Sequence, residues 1–193
     1  MNDLYNKKRC HWCNLKNSRY VEYHDNEWGV PRFDDGYLYE MLILESFQAG
    51  LSWECVLNKR EAFRDAFDGF DIDKVGKYGE EKVDQLSQNQ AIIRNKRKIT
   101  ASIKNSRIFK EIIEEHGSFF NYLRTFWNGI TVYETDKTAN ELSDAISQDL
   151  IKRGMSFVGS VIIYSYLQAI GVINSHEEDC FMYECSENSP EKA

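Results

Sequence analysis

No proline stands between Pro31 and Pro190, so nearly the whole chain is free to run as helix without a forced break. Within that span apolar residues recur at helical spacing, and alternating strand patterns are nearly absent. Leu38, Met41, Leu42, Ile43 and Leu44 predict a largely buried helix over 37–50, with Gly50 at its C-terminal end. Val56, Leu57, Phe63 and Phe67 predict a second helix over 52–67. Val83 and Leu86 mark a short amphipathic helix over 80–88. After a connector at 89–91, a longer helix over 94–116 follows Ile99, Ile103, Ile108 and Ile112. Two more are expected over 140–153 and 160–171, whereas 10–28 has no clean period and reads as loop and short turns. The expected fold class is all-α, in a single domain over 1–193.

Hydrophobic residues make up 42% of the chain, enough for a real core. The net charge of −7 argues against a nucleic-acid partner. Phosphates, however, are bound by local patches rather than by mean charge. Acid is concentrated at Glu177, Glu178 and Asp179 and in a tail at 184–193, while Arg94, Lys96, Arg97 and Lys98 form a basic run. No stretch approaches the ~20 apolar residues of a membrane span. The polar start lacks the apolar heart of a signal peptide, so the expected location is cytoplasmic, with no membrane and no protein partner implied. An odd set of 5 cysteines in that setting favours free thiols or metal ligands over disulfides.

Cysteine and histidine cluster at the two ends. His176 and Cys180 are four residues apart, so one helical turn would present both on one face. Cys10 and His24 lie at the other end, with His11 and Cys13 as local rivals. Two cysteines and two histidines make a closed, structural type of zinc site, and a pair from each terminus would staple the ends together. Spacing alone leaves the choice among the N-terminal residues open.

Two further stretches are dense in polar and aromatic residues. The first, 23–31, holds Tyr23, Asp25 and Trp28; the second, 44–53, holds Glu45, Leu51 and Trp53. Glu45 follows directly on the apolar run 41–44, so its carboxylate is expected to be part-buried, which is costly without partners.

These stretches carry a resemblance. Tyr-His-Asp-Asn-Glu-Trp-Gly-Val-Pro at 23–31, Leu-Glu-Ser-Phe-Gln-Ala-Gly-Leu-Ser-Trp at 44–53 and Lys-Arg-Gly-Met-Ser-Phe-Val-Gly at 152–159 closely resemble the 3-methyladenine DNA glycosylase I family. Val-Leu-Asn-Lys-Arg-Glu at 56–61 and Tyr-Ser-Tyr-Leu-Gln-Ala-Ile-Gly at 164–171 fit as well. Several long motifs in the right order are far more specific than any one short pattern. The resemblance covers roughly 10–180.

The resemblance implies a helix-hairpin-helix glycosylase whose structural zinc joins the termini through Cys10, His24, His176 and Cys180. The 10–24 loop is about one residue longer than the usual pattern, which keeps Cys13 open beside Cys10. The implied activity is monofunctional hydrolysis of the N-glycosidic bond of cationic alkylated purines, such as 3-methyladenine, in double-stranded DNA. The implied pocket residues are Tyr23, Glu45 and Trp53, with Ser165 as a further base contact. Such an enzyme must extrude the nucleotide, select the cation and stabilise the cationic sugar as the bond breaks. Trp53 and Tyr23 can sandwich the base, at about 2 kcal/mol or more for a desolvated cation–π contact. Neither pocket stretch contains a lysine, so no Schiff base is expected. Asp25 reads as a hydrogen-bonding loop residue rather than a catalytic one.

The expected hairpin lies at about 80–105, with Arg94, Lys96, Arg97 and Lys98 meeting phosphates. It lacks glycine between Leu86 and Ile99, which puts backbone contact with phosphate in doubt there. Leu51, after Gly50, is the expected wedge into the gap left by the flipped nucleotide. Two other readings compete. A zinc-stabilised nucleic-acid-binding module without catalysis would need no acidic pocket. A zinc hydrolase would need an open metal position, which four protein ligands do not leave.

Overall fold

A computed structural model describes residues 7–183; the acidic tail at 184–193 lies outside them. Among the described residues, ten α-helices run in order. They are α1 (Ser18–Asn26), α2 (Asp35–Gln48), α3 (Trp53–Leu57), α4 (Arg60–Ala66) and α5 (Ile72–Val75). The others are α6 (Glu80–Gln88), α7 (Lys96–His116), α8 (Phe119–Leu123), α9 (Glu141–Arg153) and α10 (Ser160–Ala169). Two strands of two residues each, β1 (Val132–Tyr133) and β2 (Ile173–Asn174), pair in parallel with Val132 opposite Ile173. The fold is helical, as the proline-free, helically spaced sequence predicts.

The centre of the molecule is α2. Ten of the eleven residues from Tyr37 to Phe47, all but Glu40, are buried, which explains why its apolar residues surround the helix rather than striping it. Asp34 caps it, accepting from the Tyr37 N–H at 2.9 Å. α10, α7 and α3 pack around it. The longest helix, α7, starts at the Asn95 cap and stops at Gly117, whose φ of 81° closes it in the left-handed region.

Several boundaries differ from the sequence reading. The helix expected over 52–67 is two, broken at Asn58 and Lys59, so that Val56, Leu57 and Phe63 reach one core from two directions. The stretch read as loop contains α1, where Val21 and His24, three residues apart, and Tyr23 form the buried face; with one aliphatic residue among them, that face does not stand out as an apolar period. Helices α5 and α8 were not expected either. His176 and Cys180 do not share a helical turn: the chain there turns tightly, with the Cys180 N–H on the Glu177 carbonyl at 2.8 Å.

The end of α10 is seated against the segment after α1. The Gly29 N–H donates to the Gln168 carbonyl at 2.9 Å, and that of Arg32 to Ile170 at 3.2 Å. Gly171 makes this approach possible. Its φ is 77°, and a Cβ there would lie 2.2 Å from the Pro31 nitrogen, inside backbone. Gly171→Ala is therefore expected to cost on the order of 3 kcal/mol, about 10 °C of melting temperature. A thermal scan within a degree or two of the parent would show that no such contact exists.

Candidate functional site

One pocket of about 310 Å³ opens between α1, the end of α2, the start of α3 and α10. That volume suits one small planar group. From α1 comes Tyr23; from α2 come Glu45 and Gln48, three residues apart and so on one helical face. After Gln48 the chain reverses through Gly50, whose φ is 79°, and α3 then presents Trp53. Ser52 caps α3 by accepting from the Cys55 N–H at 3.3 Å, which fixes where the indole emerges. Ser165 and Gln168 close the wall from α10, and Trp12 and Trp28 complete it.

The electrostatics of this pocket are unusual. Glu45 is 2% exposed, and among the described residues its Oε2 has no hydrogen-bond partner. Burial raises its carboxyl well above the usual carboxylate range. Gln48 Oε1 and Trp53 Nε1 are likewise buried without partners. Two acceptors and one donor thus converge on one cavity. A folded protein tolerates such groups where a ligand completes them. Burial, and then the charge of Glu45, raise the Tyr23 phenol well above its ordinary value.

A second cluster lies behind the aromatic wall. The ligand atoms of Cys10, His24, His176 and Cys180 lie within 4.8 Å of one another, and all four residues are buried. Cys10 Sγ and Cys180 Sγ are each 3.5 Å from His176 Nδ1, and Cys180 Sγ is 3.5 Å from His24 Nε2. A tetrahedral ion with bonds of about 2.3 Å to sulfur and 2.0–2.1 Å to nitrogen has sulfur–nitrogen edges of roughly that length. The tautomers agree with this: His24 Nδ1 pairs with Asp25 at 2.8 Å and His176 Nε2 with the Trp28 carbonyl at 3.0 Å, leaving the other nitrogens to face inward. Backbone N–H groups of Glu177 and Met182 point at the two sulfurs, at 3.5 and 3.4 Å. Burial pushes the Cys10 thiol up to about 12 and the His176 imidazole down to about 4, so thiolates here call for a cation. The four residues fit a metal ion with a closed shell.

A family model described as methyladenine glycosylase matches residues 12–183. The chain belongs to the methyladenine glycosylase family. DNA-3-methyladenine glycosylase 1 of Escherichia coli (strain K12) is 42% identical over 182 residues, covering 91% of this chain and 97% of its own. DNA-3-methyladenine glycosylase of Haemophilus influenzae is 36% identical, with 89% and 96% covered. A crystal structure of a 3-methyladenine DNA glycosylase I superposes with a TM-score of 0.87 at 40% identity, covering 92% of this chain and 100% of that one. The Staphylococcus aureus enzyme, solved to explain 3-methyladenine recognition, gives 0.84 at 31% identity, with 90% and 96% covered.

In this glycosylase-family fold, Tyr23, Glu45, Trp53 and Ser165 share the pocket. The expected sandwich is not there: the rings of Tyr23 and Trp53 are 5.3 Å apart and tilted by 51°. That is closer than the roughly 7 Å an inserted ring needs, so they form adjoining walls. Cys13 is buried but lies outside the cysteine–histidine group, and His11 turns away to Glu177. Asp25 bridges Arg9 and His24 and takes no part in the pocket. Leu51 stands 42% exposed between Gln48 and Trp53.

The basic run divides. Arg94, Lys96 and Arg97 are exposed, with Lys96 also reaching Asp84 at 2.8 Å. Lys98 does not face solvent: it is 6% exposed and bonded to backbone carbonyls, which removes it from the phosphate-facing set. Arg97 and Lys104 share a groove of about 620 Å³ with Phe157 and Gly159 of the turn between α9 and α10. That turn has the glycines that 86–99 lacks, Gly154 with a φ of 104° and Gly159 with open space around it.

Gln48, Trp12, Trp28 and Gln168 were missed by sequence reasoning. The i, i+3 spacing of Glu45 and Gln48 was the available signal for one of them. The others are assembled from separate segments and leave no local mark.

Proposed function

We propose that this protein excises cationic alkylated purines, 3-methyladenine foremost, from double-stranded DNA by hydrolysis of the N-glycosidic bond. The observation that carries the reading is Glu45, a buried carboxyl with an unpartnered oxygen in a ring-lined pocket beside Trp53. Such a cavity repels a neutral adenine, which would leave an anion unpaired or a carboxylic acid mismatched. A purine already positive at the base satisfies it, and the indole and phenol faces add cation–π attraction. A catalytically idle binding module has no use for that arrangement.

The chemistry needs little acid. In the cationic nucleotide the C1′–N9 bond breaks with its electron pair moving onto the purine, which leaves neutral. Positive charge then appears on the deoxyribose ring, and water adds its oxygen to C1′ and releases a proton. The protein's task is to hold the extruded base, exclude competing bases and position the sugar. The one amine lining the pocket, Lys137, is exposed at its rim and paired with Glu134 at 2.6 Å, so hydrolysis ends at the abasic site without strand cleavage.

We assign the metal as zinc in a purely structural role, held by Cys10, His24, His176 and Cys180. For phosphate contact, the turn between α9 and α10 suits better than 86–99. Gly159 begins α10 without a side-chain cap, so its N-terminal N–H groups are free for an anion, and Arg97 flanks the same groove. Arg94 and Lys96 extend that face, and Leu51 fills the gap left in the stack. DNA as substrate, together with four described cysteines that form no disulfide among the described residues, fits a cytoplasmic protein. Incubation with methylated duplex DNA, followed by chromatography of the released bases, tests the assignment. Free 3-methyladenine without strand breaks is the expected product; binding without release would favour the idle module.

A further inference from the structure

We propose that Lys98 is a positioning residue that couples the DNA-facing turn to the end of α2, holding the chain there so that Leu51 stands ready to fill the gap left by an extruded nucleotide. The proposal rests on the repair reading above.

Lys98 sits in the basic run yet turns inward from the first turn of α7. Its Nζ donates to the carbonyls of Phe47 at 2.7 Å and Ala49 at 2.5 Å. These are the last carbonyls of α2, which have no partner within the helix, and a cation there also suits the helix dipole. One ammonium thus fixes the point where the chain leaves α2. The next residues are Gly50, with its φ of 79°, and the exposed Leu51; Glu45 and Gln48 lie just before. The same Nζ lies 5.7 Å from the centre of the Phe157 ring. Phe157 belongs to the turn between α9 and α10 and holds a φ of 59°, which side chains rarely adopt. Lys98 therefore touches both the pocket's helix and the turn that faces DNA. A lysine whose sole task was helix stability could sit in solvent, whereas this one is buried at the crossing of three elements.

Lys98→Met keeps the stem and removes the ammonium. Two readouts separate coupling from plain stability: duplex excision of 3-methyladenine, and binding of the free base followed by tryptophan fluorescence. We expect kcat/KM on duplex DNA to fall at least tenfold while the free-base Kd stays within twofold. Leu51→Ala added to Lys98→Met should lower excision by less than twofold more, because the wedge is already misplaced. Equal losses of excision and free-base binding, unchanged excision, or fully additive loss with Leu51→Ala would each overturn the coupling. If Lys98→Met does not fold, Lys98→Gln, with a shorter donor, is read by the same two measurements. Parent protein that releases no base would sink the repair reading itself; normal parent release with an unchanged variant sinks the coupling alone.

Discussion

Glu45→Gln is expected to lower kcat/KM on 3-methyladenine in DNA roughly 30-fold, since a contact with a full charge is worth about 2 kcal/mol more than its neutral counterpart. The loss should fall mainly on KM. The carboxylate meets the positive base when it is captured, and the charge leaves the base as the bond breaks. Discrimination against unmodified adenine should weaken in parallel. The same change should stabilise the empty protein. Burial raises the Glu45 carboxyl, so its folded-state value lies above the unfolded one. Its contribution to stability is then complete below the unfolded value and is lost as pH rises through the folded one. Glutamine carries no such loss, so the variant's advantage in melting temperature should grow from acid toward neutral pH. Binding a cation requires the ionised form, so the parent's kcat/KM should climb with pH and the variant's should lose that climb. Full activity of Glu45→Gln on 3-methyladenine would remove the central support of the assignment.

The second large effect concerns the metal. His176→Ala, or removal of the ion by a chelator, is expected to cost on the order of 5 kcal/mol and lower the melting temperature by more than 10 °C. Cys10 and His24 belong to the segment before α2, and His176 and Cys180 follow β2, so an ion held by these four would join the two ends. The loss should also reach the pocket wall, because the ring of Trp28 lies 4.6 Å from that of His176 and its carbonyl accepts from His176 Nε2. At temperatures where the stripped protein keeps its native circular dichroism, base release should persist, since four protein ligands leave the ion no open position. Unchanged melting with full zinc content in His176→Ala would show that His176 is not a ligand. Lost turnover in a chelated but fully folded protein would instead favour a hydrolytic metal.

How the sequence encodes this site varies by residue. Glu45 was legible because a carboxylate directly after four apolar residues has few ways to avoid burial. Lys98 was misread because its neighbours in sequence are basic and exposed. The helical period gave the better signal: Lys98, Ser102 and Ser106 recur every four residues along the buried face of α7. Tyr23 and Trp53 were found, but their mutual angle was not, since it depends on how α1 packs beside α3. The glycine-bearing turn before α10 carries less positive charge than 94–98, so charge density alone does not mark it as a candidate phosphate-facing turn.

The chain's own letters determined that it would be helical, where its apolar faces lie, and which side chains carry acid, ring and thiol chemistry. These are properties of local order, set by spacing and residue type. Only the tertiary structure decided that Cys10 meets His176 across the whole chain, that Glu45 Oε2 finds no partner among the described residues, and that Lys98 points inward. Those outcomes depend on which surfaces are excluded from water when distant helices pack, and no local pattern contains that information.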